Sequence, residues 1–117
     1  EGVVYPNGKV SEEVAKIVAE SHKYARTTNA QVNSIHLEYV KPYFLAAISP
    51  DDSTRCTYWL AYLTRVISNT GWIIFFWHGY DEGLGDANCM NAFIDQAQAA
   101  KVPIVTISQA LDIIEKQ

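Results

Sequence analysis

The run Trp72-Ile73-Ile74-Phe75-Phe76-Trp77 constrains the fold more than any other part of the chain. It is far shorter than the roughly 20 residues a membrane-spanning helix needs. It is also apolar throughout, leaving no face suited to water, so it predicts a central strand covered on both sides, as in a parallel sheet. Before it, Trp59, Tyr62, Leu63, Val66 and Ile67 follow the i, i+3, i+4, i+7, i+8 spacing of one helical face. Asp51-Asp52-Ser53-Thr54 supplies capping oxygens for the start of that helix, and Gly71 suits a left-handed position at its end. After the run, residues 78–88 read as a loop containing Gly79, Gly83 and Gly85, followed by a helix with Met90, Phe93, Ile94 and Ala97 on one stripe. Pro103-Ile104-Val105-Thr106-Ile107 predicts a final strand, and Ser108 caps a last helix through Leu111 and Ile114.

The opening residues repeat the alternation. Val3-Val4-Tyr5 is a short strand stopped by the turn Pro6-Asn7-Gly8. Ser11 is a good N-cap, Glu12 and Glu13 oppose the positive end of the helix dipole, and Val14, Ile17 and Val18 mark one buried stripe. Tyr24 to Thr28 fits a second strand. Ile35 to Val40 fits either a strand or an irregular segment, and Pro42 and Pro50 bracket a further short apolar stretch, Tyr43 to Ser49. Strands alternating with helices indicate a parallel α/β architecture with right-handed crossovers.

At 117 residues the chain predicts a single domain over 1–117. A hydrophobic fraction of 49% with only 19% charged residues excludes intrinsic disorder. Nine Lys+Arg against 13 Asp+Glu give a net charge of -4, without the basic excess on which nucleic-acid binding relies. Cys56 and Cys89 are too few for a disulfide scaffold, lack the spacing of a zinc site, and read as small buried hydrophobes of open redox state. The first residues, acidic and already strand-like, are not a signal peptide. A chain starting inside a strand leads us to expect that something natural precedes Glu1.

Ligands in parallel α/β folds bind at the carboxyl ends of strands. Two segments have that placement: Tyr5-Pro6-Asn7-Gly8 and His78-Gly79-Tyr80-Asp81-Glu82. A strand-tip histidine suits general acid or base work, its unperturbed pKa lying near neutrality, and Asp81 or Glu82 beside it would favour its protonated form. The same histidine also fits a purely structural role, bonding a loop carbonyl. The Pro-Gly turn is likewise either only a turn or a device that aims backbone N–H groups at a developing oxyanion. His22 fits a helix C-terminus, and His36 stands next to Glu38; no histidine pair has metal-motif spacing. Trp59, Trp72 and Trp77 fit core or interface positions, with Trp77, beside His78, also suited to line a carbohydrate groove.

Tyr5-Pro6-Asn7-Gly8, a helix, and Tyr24-Ala25-Arg26-Thr27-Thr28 together resemble the later part of the polysaccharide deacetylases with a NodB homology domain, carbohydrate esterase family 4. Asp51 to Thr54, a helix, and Gly71 to Gly79 are similar to the next stretch. Val102 to Leu111 is similar to that domain's last strand and helix. The resemblance spans nearly the whole chain in the family's order. It implies a partial, distorted (β/α) barrel, the carboxyl-terminal half of the catalytic domain, with about four or five mostly parallel strands and covering helices. It also implies hydrolysis of N- or O-acetyl groups on an acetylated polysaccharide or oligosaccharide, in an extracellular, periplasmic or cell-envelope setting. His78 matches the general acid, with Phe76 where the family usually has Leu, and Asn7 matches the backbone oxyanion contact. Asp51 or Asp52 is the candidate to orient the histidine, and Tyr5, Pro6, Trp77 and Tyr80 are candidate substrate contacts.

In that family the divalent metal, commonly zinc, and the general base are held by an Asp-Asp pair and a His-x-x-x-His motif that lie in the first half of the domain, a half this chain does not match. The Arg usual before the Pro-containing turn is replaced by Val4 and Tyr5. The resemblance therefore implies no metal bound by this chain alone and a missing amino-terminal half as partner. The alternative is a catalytically inactive carbohydrate-binding or assembly module, with a second copy as partner, that oligomerises through its open sheet.

Overall fold

The computed structural model of the chain describes residues 1–48, 55–69, 71–76 and 87–117. β1 (Gly2–Val4) lies parallel to β2 (Tyr24–Arg26), with Gly2 opposite Tyr24, Val3 opposite Ala25 and Val4 opposite Arg26. Between them runs α1 (Glu12–Ala19), started as expected by the Ser11 hydroxyl, which accepts from the Val14 N–H at 3.2 Å.

Parallel pairing continues past β2 through single bridges rather than full strands. The Leu45 N–H donates to Ala25 O at 3.1 Å, and the Thr27 N–H to Leu45 O at 2.8 Å. Farther along, the Ile48 N–H donates to Ile74 O at 2.9 Å and the Phe76 N–H to Ile48 O at 3.1 Å. The spatial order is thus β1, β2, residues 45–48, residues 74–76, all running the same way. Both bracketed stretches of the sequence, Tyr43 to Ser49 and the Trp72 run, contribute, but each by bridges at Leu45, Ile48 and Phe75.

The interruption has a visible cause. Residues 45 and 47 turn their amides toward β2, so Ala46 turns its own the other way. There the Asn33 side chain takes both groups: its Oδ1 accepts from the Ala46 N–H and its Nδ2 donates to Ala46 O, each at 2.9 Å. Asn33 belongs to β3 (Asn33–Ser34), which pairs antiparallel with β4 (Gly71–Trp72). The start of the Trp72 run is therefore drawn into a separate antiparallel pair and rejoins the parallel ladder only at Phe75. Gly71 opens β4 and does not take the expected left-handed conformation; its missing side chain matters instead because a Cβ there would collide with the Val32 side chain.

α2 (Arg55–Asn69), α3 (Ala87–Ala99) and α4 (Ile107–Glu115) follow the expected helical stretches. Among the described side chains, Leu63 of α2, Ala97 of α3 and Ala110, Leu111 and Ile114 of α4 are buried, and α2 packs against α3. Phe93 of α3 meets Phe75 edge to face, with ring centroids 5.1 Å apart. Leu45, Ala47, Ile74 and Leu111 form the central cluster, with Tyr24, Val40, Trp72, Phe76 and Ile107 packed around it. No described helix is long and apolar enough to cross a membrane.

Four other expectations need correction. Residues 103–106 form no strand, and Ile104 is 63% exposed: an apolar, β-branched stretch makes a strand only where a neighbour offers a ladder, and none pairs with it among the described residues. The stripe on α1 is not buried, since Val14 and Ile17 face solvent and Ala15 alone is covered. The last helix is capped by Thr106 rather than Ser108, because Thr106 and Gln109 complete a reciprocal capping box. Ile35 to Val40 is neither a strand nor wholly irregular, with a 3-10 turn at Leu37–Tyr39. The described residues thus make an α/β fold with two small sheets, and no barrel closes among them.

Candidate functional site

The parallel order gives the sheet one carboxyl edge, and the Pro6–Gly8 turn lies on it at the end of β1. The turn is a single 3-10 loop, closed by the Gly8 N–H on Tyr5 O at 2.8 Å. Asn7 sits in the left-handed region at φ 57°, ψ 15°, which Asn tolerates better than most residues. Gly8 follows at φ +70°, and a Cβ there would strike the Thr28 side chain at the end of β2. The chain can reverse this tightly only with a residue lacking a side chain at position 8. The Asn7 N–H donates to no described residue.

Tyr5, a candidate substrate contact, is 3% exposed, and its hydroxyl donates to Tyr43 O at 3.0 Å. Burial raises its pKa above the ordinary value, and the neighbouring Tyr43 pushes it the same way. Pro6 and Asn7 are exposed beside it. His78, Asp51, Asp52, Trp77 and Tyr80 lie outside the described residues, as does the caps-and-charge stretch 51–54. Phe76, the last described residue of the Trp72 run, belongs to the same ladder as the turn, three strand spacings from β1, or about 14 Å in a flat sheet.

The remaining histidines stand apart from this edge. His22 Nδ1 lies 2.9 Å from the Ser21 hydroxyl, and its carbonyl accepts from the Tyr43 hydroxyl. His36 packs edge to face on Tyr39 with centroids 6.4 Å apart. Among the described residues no group of three His, Cys, Asp or Glu side chains is placed to hold a metal ion. A cavity of about 250 Å³ lies between α4 and the start of β2, lined in part by Tyr24, Tyr43, Leu111 and Asp112 and separate from the turn.

Sequence reading missed Arg26. It is partly buried at the end of β2, and its guanidinium carbon lies 4.6 Å from the centre of the Phe76 ring. One guanidinium nitrogen donates to Thr27 O at 3.3 Å, and burial lowers the group's pKa from its usual value. The available signal was a cation placed between Ala25 and Thr27, both among the most buried residues of the chain. Compared with known proteins, the chain matches no family model, and no curated protein or solved structure matches it.

Proposed function

We propose that the chain is part of a polysaccharide deacetylase, supplying the general acid His78 and the oxyanion contact of Asn7. The observation that carries this reading is the Asn7 amide: held in a left-handed turn at the carboxyl edge of the parallel strands, with no acceptor among the described residues. Water adds to the acetyl carbonyl, whose oxygen becomes an anion that the Asn7 N–H stabilises. Collapse expels the sugar nitrogen or oxygen, which takes a proton from the His78 imidazolium as acetate leaves.

In the resembled family a divalent metal polarises the acetyl carbonyl and activates water. The motifs that hold the metal and the base lie in the first half of that family's domain, so this reading assigns the ligands and the base to an amino-terminal half of the enzyme. The pure 117-residue chain, given zinc or cobalt, is expected to release no acetate from acetylated chito-oligosaccharides. Robust metal-dependent release would overturn this division of labour. The reading frame upstream of Glu1 is expected to encode the Asp-Asp pair and a His-x-x-x-His pattern.

One observation favours a second reading, an inactive carbohydrate-binding or assembly module. β1 pairs on one side only among the described residues, and Val4, Ile104 and Val105 are exposed. A stop codon directly upstream, together with a dimer in sedimentation at micromolar concentration, would select it over the deacetylase.

A further inference from the structure

The carboxyl edge also carries a guanidinium with no carboxylate partner among the described residues. The only ion pair among the described residues joins Lys23 to Glu1 at 3.9 Å, both well exposed. The Arg26 guanidinium makes its single hydrogen bond among the described residues to a neutral carbonyl, leaving most of its five donors without a described acceptor. Its reach is informative. Arg26 is level with Leu45 and Phe75 with Ile48 of the same segment, so Phe76 lies two strands over and farther toward the carboxyl end, and the side chain is laid across the sheet rather than extended into solvent. The Phe76 ring holds the guanidinium by cation–π attraction, which leaves the planar edge of the group free to present its fork of donors. Val4, opposite Arg26 on β1 and on the same face, is 56% exposed, so the approach from that side is open. A cation removed in part from water, with no counter-charge among the described residues, is unfavourable, and an incoming carboxylate would reverse that by a bidentate, charge-assisted pair.

We propose that Arg26, fixed over Phe76 at the carboxyl edge of the sheet, is a binding site for a small carboxylate. This goes beyond the deacetylase reading and stands without it. Two sources share the chemistry: free acetate and the acid group of a uronic sugar. Acetate and glucuronate therefore form separate arms of the test, with chloride at matched ionic strength as the control.

The experiment is an NMR titration of the isotope-labelled chain, following the Arg26 Nε–H and the backbone amides of Tyr5 and Thr27. At least one carboxylate is expected to produce saturable shifts confined to these groups, and the stronger arm identifies the source. Arg26→Lys, which keeps the charge but lacks the fork, is expected to bind about tenfold more weakly. Shifts no larger than those with chloride would overturn the proposal. So would equal binding by the Arg26→Lys variant, or shifts scattered over the exposed lysines. Because the first measurement uses the unaltered chain, a variant that fails to fold does not rescue the idea.

Discussion

Two stretches of similar composition meet opposite fates. Phe44-Leu45-Ala46-Ala47-Ile48 and Pro103-Ile104-Val105-Thr106-Ile107 are both short, apolar and preceded by a proline or a turn. In the first, Leu45 is 1% exposed and Ala47 fully enclosed; in the second, Ile104 and Val105 face solvent. The difference lies in neighbours. Residues 45–48 have β2 on one side and both the Asn33 amide and residues 74–76 on the other, whereas residues 103–106 pair with no described strand. Apolar composition thus states what a segment can bury, and sheet order decides whether it does.

Truncating the two segments should expose that contrast most directly. Leu45→Ala removes a side chain from the central cluster and is expected to destabilise by about 3 kcal/mol in urea unfolding. A loss below about 1 kcal/mol would mean that the cluster is loosely packed and the comparison mistaken. Thr27→Val tests the polar half of the same region. The buried Thr27 hydroxyl donates to Leu45 O and accepts from the Asn29 N–H, both at 3.1 Å, and its removal should cost about 1–2 kcal/mol.

A smaller effect is expected from pH. Tyr5 has a raised pKa in the folded chain, so above the ordinary tyrosine value of about 10 the unfolded chain gives up its proton first. Stability is therefore complete below that pH and falls as pH rises through the window up to the folded value. The slope should flatten in Tyr5→Phe, measured by unfolding at stepped alkaline pH. At the exposed extreme, Ile104→Ser should change stability by no more than about 0.5 kcal/mol in dilute solution. A larger loss that grows with protein concentration would show that residues 103–106 are covered in an assembly, and would turn the contrast into one between partners within and between chains.

Much of the fold can be read from local chemistry. The Ser11 cap, the Pro-Gly turn and the alternating order of strands and helices all depend on residues a few positions apart. What resists reading depends on distant neighbours. The stripe on α1 is properly amphipathic, but periodicity cannot say whether anything lies opposite Val14 and Ile17. Thr106 displaces Ser108 as the cap because Gln109 answers it, a reciprocity that comparing single residues overlooks. In the candidate site, the turn was legible from Pro6 and Gly8, whereas Arg26 was not, since its significance comes from Phe76, far along the chain.

The Asn33 amide has a consequence for the chemical ageing of the protein. It presents an acceptor to one group of Ala46 and a donor to the other, a match that an aspartate of the same shape cannot reproduce. Hydrolysis of this side chain would set a negative oxygen against a carbonyl and free the clamp that keeps β4 out of the ladder. The molecule thus carries a point where a single spontaneous reaction would register as a slow loss of sheet order during storage.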